Sequence, residues 1–415
     1  MLAIVNLYRL PAFEPLARGF CYTASMSSSY ILAGCRTPIG KFLGSLAEVP
    51  APRLGAVAIA EALARAGVEA GDVNEVIMGN VLAAGLGQAP ARQAALHAGL
   101  PPTVAALTIN KMCGSGLKAV MLADQAIRAG DAEIIVAGGM ESMSRAPHLL
   151  MGTRTGWKLG NQQVLDSMVN DGLWCAFENM HMGGEADYIA ESRRISRADQ
   201  DTFAVESHRR AIAATEMTTR ELVSVTVLGR KGPVIVSRDE GPRPETTLDA
   251  LAKLRPSFAE DGTVTAGNAS QLSDGAAAVV VASERAAARC QSPIKARIVA
   301  TATSGVTPKE LFIAPVSAIE QVLAKAGMQL GDIDLFELNE AFAAQCLACM
   351  RPLEIDHAKL NIRGGAIALG HPIGASGARV LVTLLYSLAE RQLRRGLAAL
   401  CLGGGNAVAM IVERV

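Results

Sequence analysis

The chain has 415 residues, a length that predicts two or three packed units rather than one simple core. Half of its residues are hydrophobic and 19% are charged, which is typical of a globular protein and not of a disordered one. Lysine plus arginine and aspartate plus glutamate number 39 each, so the formal net charge is zero, which argues against a nucleic-acid-binding protein that works through a broad basic field.

Residues 1–27 are predicted to be an N-terminal extension or leader. The first 25 carry two arginines, one glutamate and no clear periodicity. A cleaved organellar leader has such a composition, but we favour an extension ahead of a true start at Met26. The protein is then expected in the cytoplasm. Its eight scattered cysteines fit a reducing compartment, and no run approaches the roughly 18 apolar residues of a membrane-spanning helix.

The sequence repeats itself at a nearly constant offset. Residues 58–73 (AIAEALARAGVEAGDV) align without a gap with residues 318–333 (AIEQVLAKAGMQLGDI), at an offset of 260, and both predict an amphipathic helix that ends at Ala-Gly. A short apolar strand follows each copy. A second pair, at an offset of 261, is formed by the helix starts at Gly116 and Gly377. One internal duplication explains both pairs.

The duplication divides the chain into a first half at 28–143, an inserted loop domain at 144–289 and a second half at 290–415. Alternating strands and helices predict an α/β fold with a largely parallel, helix-covered sheet in each half. The insert is far longer than an ordinary connection and contains a predicted helix at 197–217. We interpret it as a lid or ligand-binding excursion of the first half.

Four polar side chains follow strands or precede helices in the two halves. Cys113 precedes a helix predicted over 117–129, and His371 lies in the matching loop of the second half. Asn339 and Cys401 follow apolar strands. Because strand ends and helix N-termini gather on one side of such sheets, these groups are expected to meet. A thiol at a helix N-terminus is expected to have a lowered pKa, with His371 taking its proton, and nearby backbone N–H groups can hold an oxyanion.

Each of these residues also has a plainer interpretation. A single cysteine before a helix is more often a small buried side chain than a nucleophile. Cys346 and Cys349 have the spacing of a redox or metal pair but lack a second ligand pair, so we interpret them as packing. Glu141 is either a base or a residue that fixes local conformation. The methionines that either line an acyl pocket or fill gaps are Met143, Met168, Met180 and Met182.

From about residue 28 to the C-terminus, the chain resembles the thiolase family, which comprises acetyl-CoA acetyltransferases and 3-ketoacyl-CoA thiolases. The motifs that carry the resemblance are CGSGLKAV from Cys113, GGMESMS from Gly138, HMG from His181, TAGNAS from Thr265, NEAFA from Asn339, GGAIALGHPIGASGAR from Gly364 and CLGGG from Cys401. Together they are highly specific. The resemblance implies duplicated α/β halves packed as a layered α-β-α-β-α core with a long inserted loop domain.

The resemblance also implies roles for the polar residues. Cys113 is the nucleophile that carries the acyl group as a thioester, and His371 activates it. Cys401 is the general acid/base for the substrate's alpha carbon. Asn339 holds a catalytic water, which together with His371 forms one oxyanion site. The backbone N–H groups of Cys113 and Gly403 form the other.

The implied reaction is thiolysis of a 3-ketoacyl-CoA by coenzyme A, or the reverse condensation of two acetyl-CoA to acetoacetyl-CoA, in lipid metabolism. Coenzyme A is a substrate, and neither a metal nor a redox cofactor is implied. The residues implied in substrate binding are His181, Met182, Arg243, Ala266, Ser270 and Phe342. Arg243 would lie near the nucleotide end of coenzyme A, or else be a solvated loop charge. Segment 151–161 lies where relatives tie dimers into tetramers, so a homotetramer is expected, with a dimer as the alternative.

Two departures from the family pattern leave every implied catalytic group in place. Arg363 stands where the family usually has asparagine, and residues 184–187 (GEAD) replace a threonine-rich segment. Two other hypotheses compete with a thiolase: a decarboxylating condensing enzyme of fatty-acid or polyketide synthesis, and a non-enzymatic acyl-CoA-binding protein. Cys401 at the third catalytic position favours a thiolase over the first, and the intact quartet argues against the second.

Overall fold

The structure of the protein, a computed structural model, describes residues 28–229, 232–289, 292 and 294–415. The extension predicted over residues 1–27 lies outside these residues. The strands, in chain order, are β1 (Ser29–Arg36), β2 (Gly40–Lys41), β3 (Glu75–Gly79), β4 (Ala105–Ile109), β5 (Ile134–Ser142), β6 (His148–Leu150), β7 (Val164–Asp166), β8 (Trp174–Cys175), β9 (Met180–His181), β10 (Val225–Gly229), β11 (Gly232–Val236), β12 (Ser273–Ser283), β13 (Ala296–Gly305), β14 (Leu335–Leu338), β15 (Arg395–Leu402) and β16 (Asn406–Arg414).

The helices, in chain order, are α1 (Ala51–Ala66), α2 (Pro90–His97), α3 (Ser115–Ala129), α4 (Met182–Ser192), α5 (Arg197–Ala213), α6 (Thr215–Thr218), α7 (Leu248–Ala252), α8 (Glu284–Ala287), α9 (Ala314–Ala326), α10 (Ala343–Leu353), α11 (Ala366–Leu369) and α12 (Ile373–Glu390). The two repeat helices, α1 and α9, both end at a glycine in the left-handed conformation, Gly67 and Gly327. None of the helices in the described ranges is long and apolar enough to cross a membrane.

The principal sheet runs in the order β14-β15-β16-β13-β1-β12-β5-β3-β4, with β2 beside β12. Two Cα pairs between β1 and β13 join its two halves. The prediction of a largely parallel sheet is wrong, because only β3–β4, β3–β5 and β14–β15 pair in parallel among the described strands. β16 returns directly from β15 through a tight turn, which forces an antiparallel pair, and β12 runs antiparallel to both β1 and β5.

The helices complete five layers around the two halves of the sheet. Helices α3 and α12 pack on each other between the halves, α1 and α2 cover the outer face of the first half, and α9 covers that of the second. The layered α-β-α-β-α core is therefore confirmed. Alternating residues of β12 divide between two cores: Ala277, Val279 and Val281 face α3 and α12, whereas Ala276, Ala278, Val280 and Ala282 face α1.

The long insert leaves the sheet after β5 and carries β6–β11 and α4–α7. Its predicted helix at 197–217 corresponds to α5 and α6. The last part of the range 144–289 is not peripheral, because it contains β12, an almost fully buried strand of the principal sheet. The excursion returns through residues 263–272, which bring several predicted binding residues to the edge of the core.

Candidate active site

Cys113 lies in a tight turn between β4 and α3. Met112 has a φ of 48°, in the left-handed region that favours glycine, so the backbone is strained next to the thiol. Ser115 holds this turn: its Oγ accepts from the Lys111 N–H at 2.8 Å and donates to the Met112 carbonyl at 2.6 Å. The turn points the Cys113 side chain into a cavity in front of the N-terminus of α3.

His371 lies just before α12, and its hydrogen bonds select one neutral tautomer. Its Nδ1 is 2.6 Å from Ser376 Oγ, and that hydroxyl donates its proton to the Pro372 carbonyl at 2.9 Å. The hydroxyl therefore accepts from Nδ1–H, which leaves Nε2 as a proton acceptor. Burial, and secondarily the Arg379 guanidinium, lower the pKa of His371 to about 3, so the ring is neutral at pH 7.

Asn339 follows β14 and places its amide beside the ring of His371. Its Nδ2 lies 3.4 Å from His371 Nε2, and its Oδ1 lies 3.4 Å from Arg379 Nη2. The side chain is fully buried. Of the predicted site residues, Asn339 alone is not on the cavity wall, and its amide lies beside Nε2 of His371, which is on the wall.

Cys401 and Gly403 approach Cys113 from the end of β15. The backbone N–H groups of Cys113 and Gly403 both hydrogen-bond to the Cys113 sulfur, so two backbone donors lie beside the atom that would carry a bound group. Burial, and then the proximity of Cys113, raise the pKa of Cys401 well above its usual value. Burial also raises the pKa of Cys113, to about 11. The lowered pKa expected from the helix N-terminus is therefore wrong, because loss of solvent outweighs the N–H groups.

One cavity of about 590 Å³ joins these groups to the predicted binding residues. Its wall includes ten of the eleven predicted residues: Cys113, His181, Met182, Arg243, Ala266, Ser270, Phe342, His371, Cys401 and Gly403. They come from both halves and from the insert. A cavity of this size and mostly apolar lining is typical of a small-molecule site.

Aromatic and backbone contacts fix the binding side of the cavity. His181 stacks on Phe258 with ring centroids 4.8 Å apart, and its Nδ1 accepts from the Gly183 N–H at 3.0 Å, which caps α4. Phe342 packs edge-on against Phe258. The Ser270 N–H donates to the Ala341 carbonyl at 3.0 Å, so the loop bearing Ala266 and Ser270 is tied to the loop bearing Asn339.

Gln271 is a site residue that sequence reasoning missed. Its carbonyl accepts from the His371 N–H at 2.9 Å, and its amide donates to the carbonyls of Ile367 and Ala368. Its Oε1 lies 3.5 Å from Arg243 Nη2 at the exposed mouth of the cavity. The position next to Ser270 was the signal available for it. The apolar floor was also missed, and it comprises Leu173, Leu272 and Ile373 beside the predicted Met168.

The residues that had two interpretations fall into two groups, those that line the cavity and those with structural contacts. Glu141 accepts from Asn80 Nδ2 and from the N–H groups of Val81, Leu82 and Gly374, so it fixes conformation between β5 and α12. Met168 and Met182 line the cavity. Cys346 and Cys349 are buried in α10 and are free thiols. Within the described ranges, no three His, Cys, Asp or Glu side chains cluster so as to hold a metal ion.

Neither departure from the family pattern lies on the cavity wall. Arg363 is buried and pairs with Glu221, at 3.4 Å, and with Glu390. Glu185 is buried in α4 beside the Cys175 thiol, and burial raises its pKa to about 7. Both substitutions are therefore accommodated behind the site rather than in it.

Comparisons with known proteins agree with this geometry. The family model for the N-terminal domain of thiolase matches residues 29–285, and that for its C-terminal domain matches residues 292–414. The acetyl-CoA acetyltransferases of Pseudomonas aeruginosa and Cupriavidus necator are 54% and 53% identical over 392 residues, which is 94% of this chain and 100% of each relative. The crystal structure of the Bacillus anthracis acetyl-CoA acetyltransferase superposes with a TM-score of 0.92 at 41% identity, covering 94% of this chain and 99% of that one.

Proposed function

The chain belongs to the thiolase family and is an acyltransferase, and from that premise we propose that it transfers an acetyl group between coenzyme A thioesters through an acetyl-Cys113 intermediate. The substrates are acetoacetyl-CoA with coenzyme A in one direction and two acetyl-CoA in the other. The observation that carries the proposal is the single cavity that gathers two thiols, an imidazole and two backbone N–H groups. The similarity to acetyl-CoA acetyltransferases supports acetyl as the acyl group.

The first half-reaction acylates Cys113. His371 Nε2 accepts the thiol proton as the sulfur attacks the thioester carbonyl, and the N–H groups of Cys113 and Gly403 hold the resulting oxyanion. Because the pKa of Cys113 is raised and that of His371 is lowered, proton transfer accompanies carbon–sulfur bond formation rather than preceding it. The intermediate collapses, and the departing coenzyme A thiolate takes its proton from Cys401, which leaves His371 protonated at Nε2.

The second half-reaction forms the carbon–carbon bond. Cys401, left as a thiolate after it has protonated the departing coenzyme A, removes a proton from the methyl carbon of a second acetyl-CoA. A water held by Asn339 donates to the enolate oxygen, as does His371 when its Nε2 carries a proton. The enolate carbon attacks acetyl-Cys113, and the expelled Cys113 sulfur takes back the proton held by His371, while Cys401 keeps the proton from the methyl carbon. Thiolysis runs through the same steps in reverse.

The test is intact-mass measurement after brief incubation with acetoacetyl-CoA, followed by peptide mapping. We expect one acetyl group on Cys113 that is discharged by added coenzyme A. The matched control is Cys349→Ser, which removes a buried thiol that lies outside the cavity and should leave the adduct unchanged. Binding of 3-ketoacyl-CoAs without an adduct would refute the acyltransferase mechanism and favour a binding protein.

We propose a homotetramer assembled through the insert. The segment around β6 and β7 exposes five large apolar side chains: Leu150, Met151, Trp157, Leu159 and Val164. Exposed large apolar side chains that share one segment are typical of a protein–protein contact. Light scattering coupled to size exclusion gives the mass, and Trp157→Glu with Leu159→Glu should yield dimers. The described cysteines are all free thiols, which supports placement in a reducing compartment such as the cytoplasm.

A further inference from the structure

Arg379 is a buried cation on α12 that lowers the pKa of His371 but has no step of its own in the proposed reaction. Its side chain is 2% exposed, and two long contacts hold it: Nη1 lies 3.5 Å from Glu337 Oε2, and Nη2 lies 3.4 Å from Asn339 Oδ1. Its Nε has no hydrogen-bond partner. A buried guanidinium with loose contacts contributes little to stability compared with what its desolvation costs. Its position beside Asn339 therefore calls for an explanation other than stability.

The guanidinium determines which way the Asn339 amide faces. A guanidinium has five N–H donors and no acceptor, so of the two ends of the amide only the carbonyl oxygen can hydrogen-bond to it. With Oδ1 toward Arg379, Nδ2 must face His371 Nε2. If the Asn339 amide were flipped, its NH2 group would face the N–H groups of Arg379. Its oxygen would face the lone pair of His371 Nε2. Arg379 thus excludes the orientation in which Asn339 presents an acceptor to the site.

Glu337 holds the Arg379 guanidinium beside the Asn339 amide. It lies on β14, two residues before Asn339, so both side chains project from the same face of the strand toward α12. The carboxylate and the amide oxygen thus present two acceptors to one guanidinium. The three residues form a buried row that ends at the catalytic histidine.

We infer that Arg379 is a positioning residue for carbon–carbon bond formation, which acts by holding the Asn339 amide with its N–H donors toward His371 and the enolate site. The inference rests on the proposed roles of Asn339 and His371. It assigns a function to the arginine that closes the GASGAR motif. It also predicts a larger loss in condensation, where the water held by Asn339 acts, than in acylation of Cys113.

The test is a double-mutant cycle with Arg379→Lys, which keeps the charge but loses the planar donor pair. We expect Arg379→Lys to lower kcat for acetoacetyl-CoA synthesis roughly ten- to hundredfold with KM within about threefold, because a small misplacement of a donor has that effect. Acetylation of Cys113 by acetyl-CoA should persist. In an Asn339→Ala background, the same change should alter kcat by less than about threefold. Equal fold losses in both backgrounds would overturn the inference.

The matched control is Arg363→Lys, another buried arginine on this side of the core whose partners are Glu221 and Glu390. It should leave kcat within about twofold, and a loss equal to that of Arg379→Lys would also overturn the inference. If Arg379→Lys fails to fold by circular dichroism, Glu337→Gln takes its place in the cycle, with the same criteria. Wild-type protein that never acetylates Cys113 would instead refute the proposed function, so the two failures are distinguishable.

Discussion

Gly374 is the position at which one added methyl group tests how the catalytic loop is held. It lies in the first turn of α12, three residues after His371. A Cβ there would lie 2.7 Å from Glu141 Oε2 and 3.0 Å from both the Asn80 Cα and the Met140 carbonyl oxygen. Its φ lies outside the left-handed region, so alanine would be compatible with the backbone itself.

The atoms that an added Cβ at Gly374 would meet are all held in place. Glu141 accepts four hydrogen bonds, including one from the Gly374 N–H at 2.9 Å, and the other two atoms belong to the backbone. Reaching ordinary contact at 3.4 Å requires a shift of about 0.7 Å, and we expect it in the first turn of α12, with His371 and Ser376. Overpacking of this kind costs about 1–3 kcal/mol, and a shift approaching 1 Å lowers kcat roughly ten- to hundredfold.

The assay for Gly374→Ala is kcat for thiolysis of acetoacetyl-CoA, with thermal unfolding measured alongside. Gly331→Ala is the matched control, since that glycine is exposed and a Cβ there meets no atom within 4 Å. The control should change neither kcat nor Tm appreciably. A Gly374→Ala protein with wild-type kcat would refute the view that the contact with Glu141 positions the histidine.

Three further predictions concern protons at the site. With a pKa of about 11 in place of 9.0, Cys113 is about 100-fold less ionised at pH 7. The rate of its alkylation by iodoacetamide should therefore keep rising to about pH 11. A plateau below about pH 8 would mean a preformed thiolate. Ser376→Ala removes the acceptor of His371 Nδ1–H and should lower kcat about tenfold or more at unchanged KM, measured by steady-state thiolysis; unchanged kcat would mean that the tautomer is set elsewhere. Cys401→Ala should still acetylate Cys113 by mass spectrometry but lose condensation, and retained condensation would point to another base.

The duplicated architecture and the four polar catalytic candidates were predictable because they depend on local signals, whereas Gly403 and the six binding residues were implied by the family resemblance. The offset of about 260 residues aligns the sequence of α1 with that of α9, and the Cys113 loop with the His371 loop. Strand ends and helix starts then implied that polar residues distant in sequence would gather. Ten of eleven predicted residues line one cavity, and Asn339 reaches it through His371.

The remainder depended on long-range pairing and on burial. Nothing local in residues 273–283 indicates that a strand returning from so long an excursion joins the centre of the sheet between β1 and β5. The raised pKa of Cys113 arises from the chain atoms that pack around the thiol from distant parts of the sequence, which spacing in the sequence does not encode. The contacts of Arg379 with Glu337 and Asn339 likewise appear only when α12 lies against β14.

The duplication also explains why the site has one nucleophile rather than two. Helices α3 and α12 meet reciprocally at equivalent glycines: a Cβ on Gly116 would lie 2.6 Å from the Ala378 nitrogen, and one on Gly377 would overlap the Leu117 nitrogen. This close approach brings both loops to one place. At the offset of 261, however, Cys113 aligns with Gly374, where Glu141 leaves no room for a side chain. The second half therefore contributes its reactive group three residues earlier, as His371, and the two loops supply complementary chemistry.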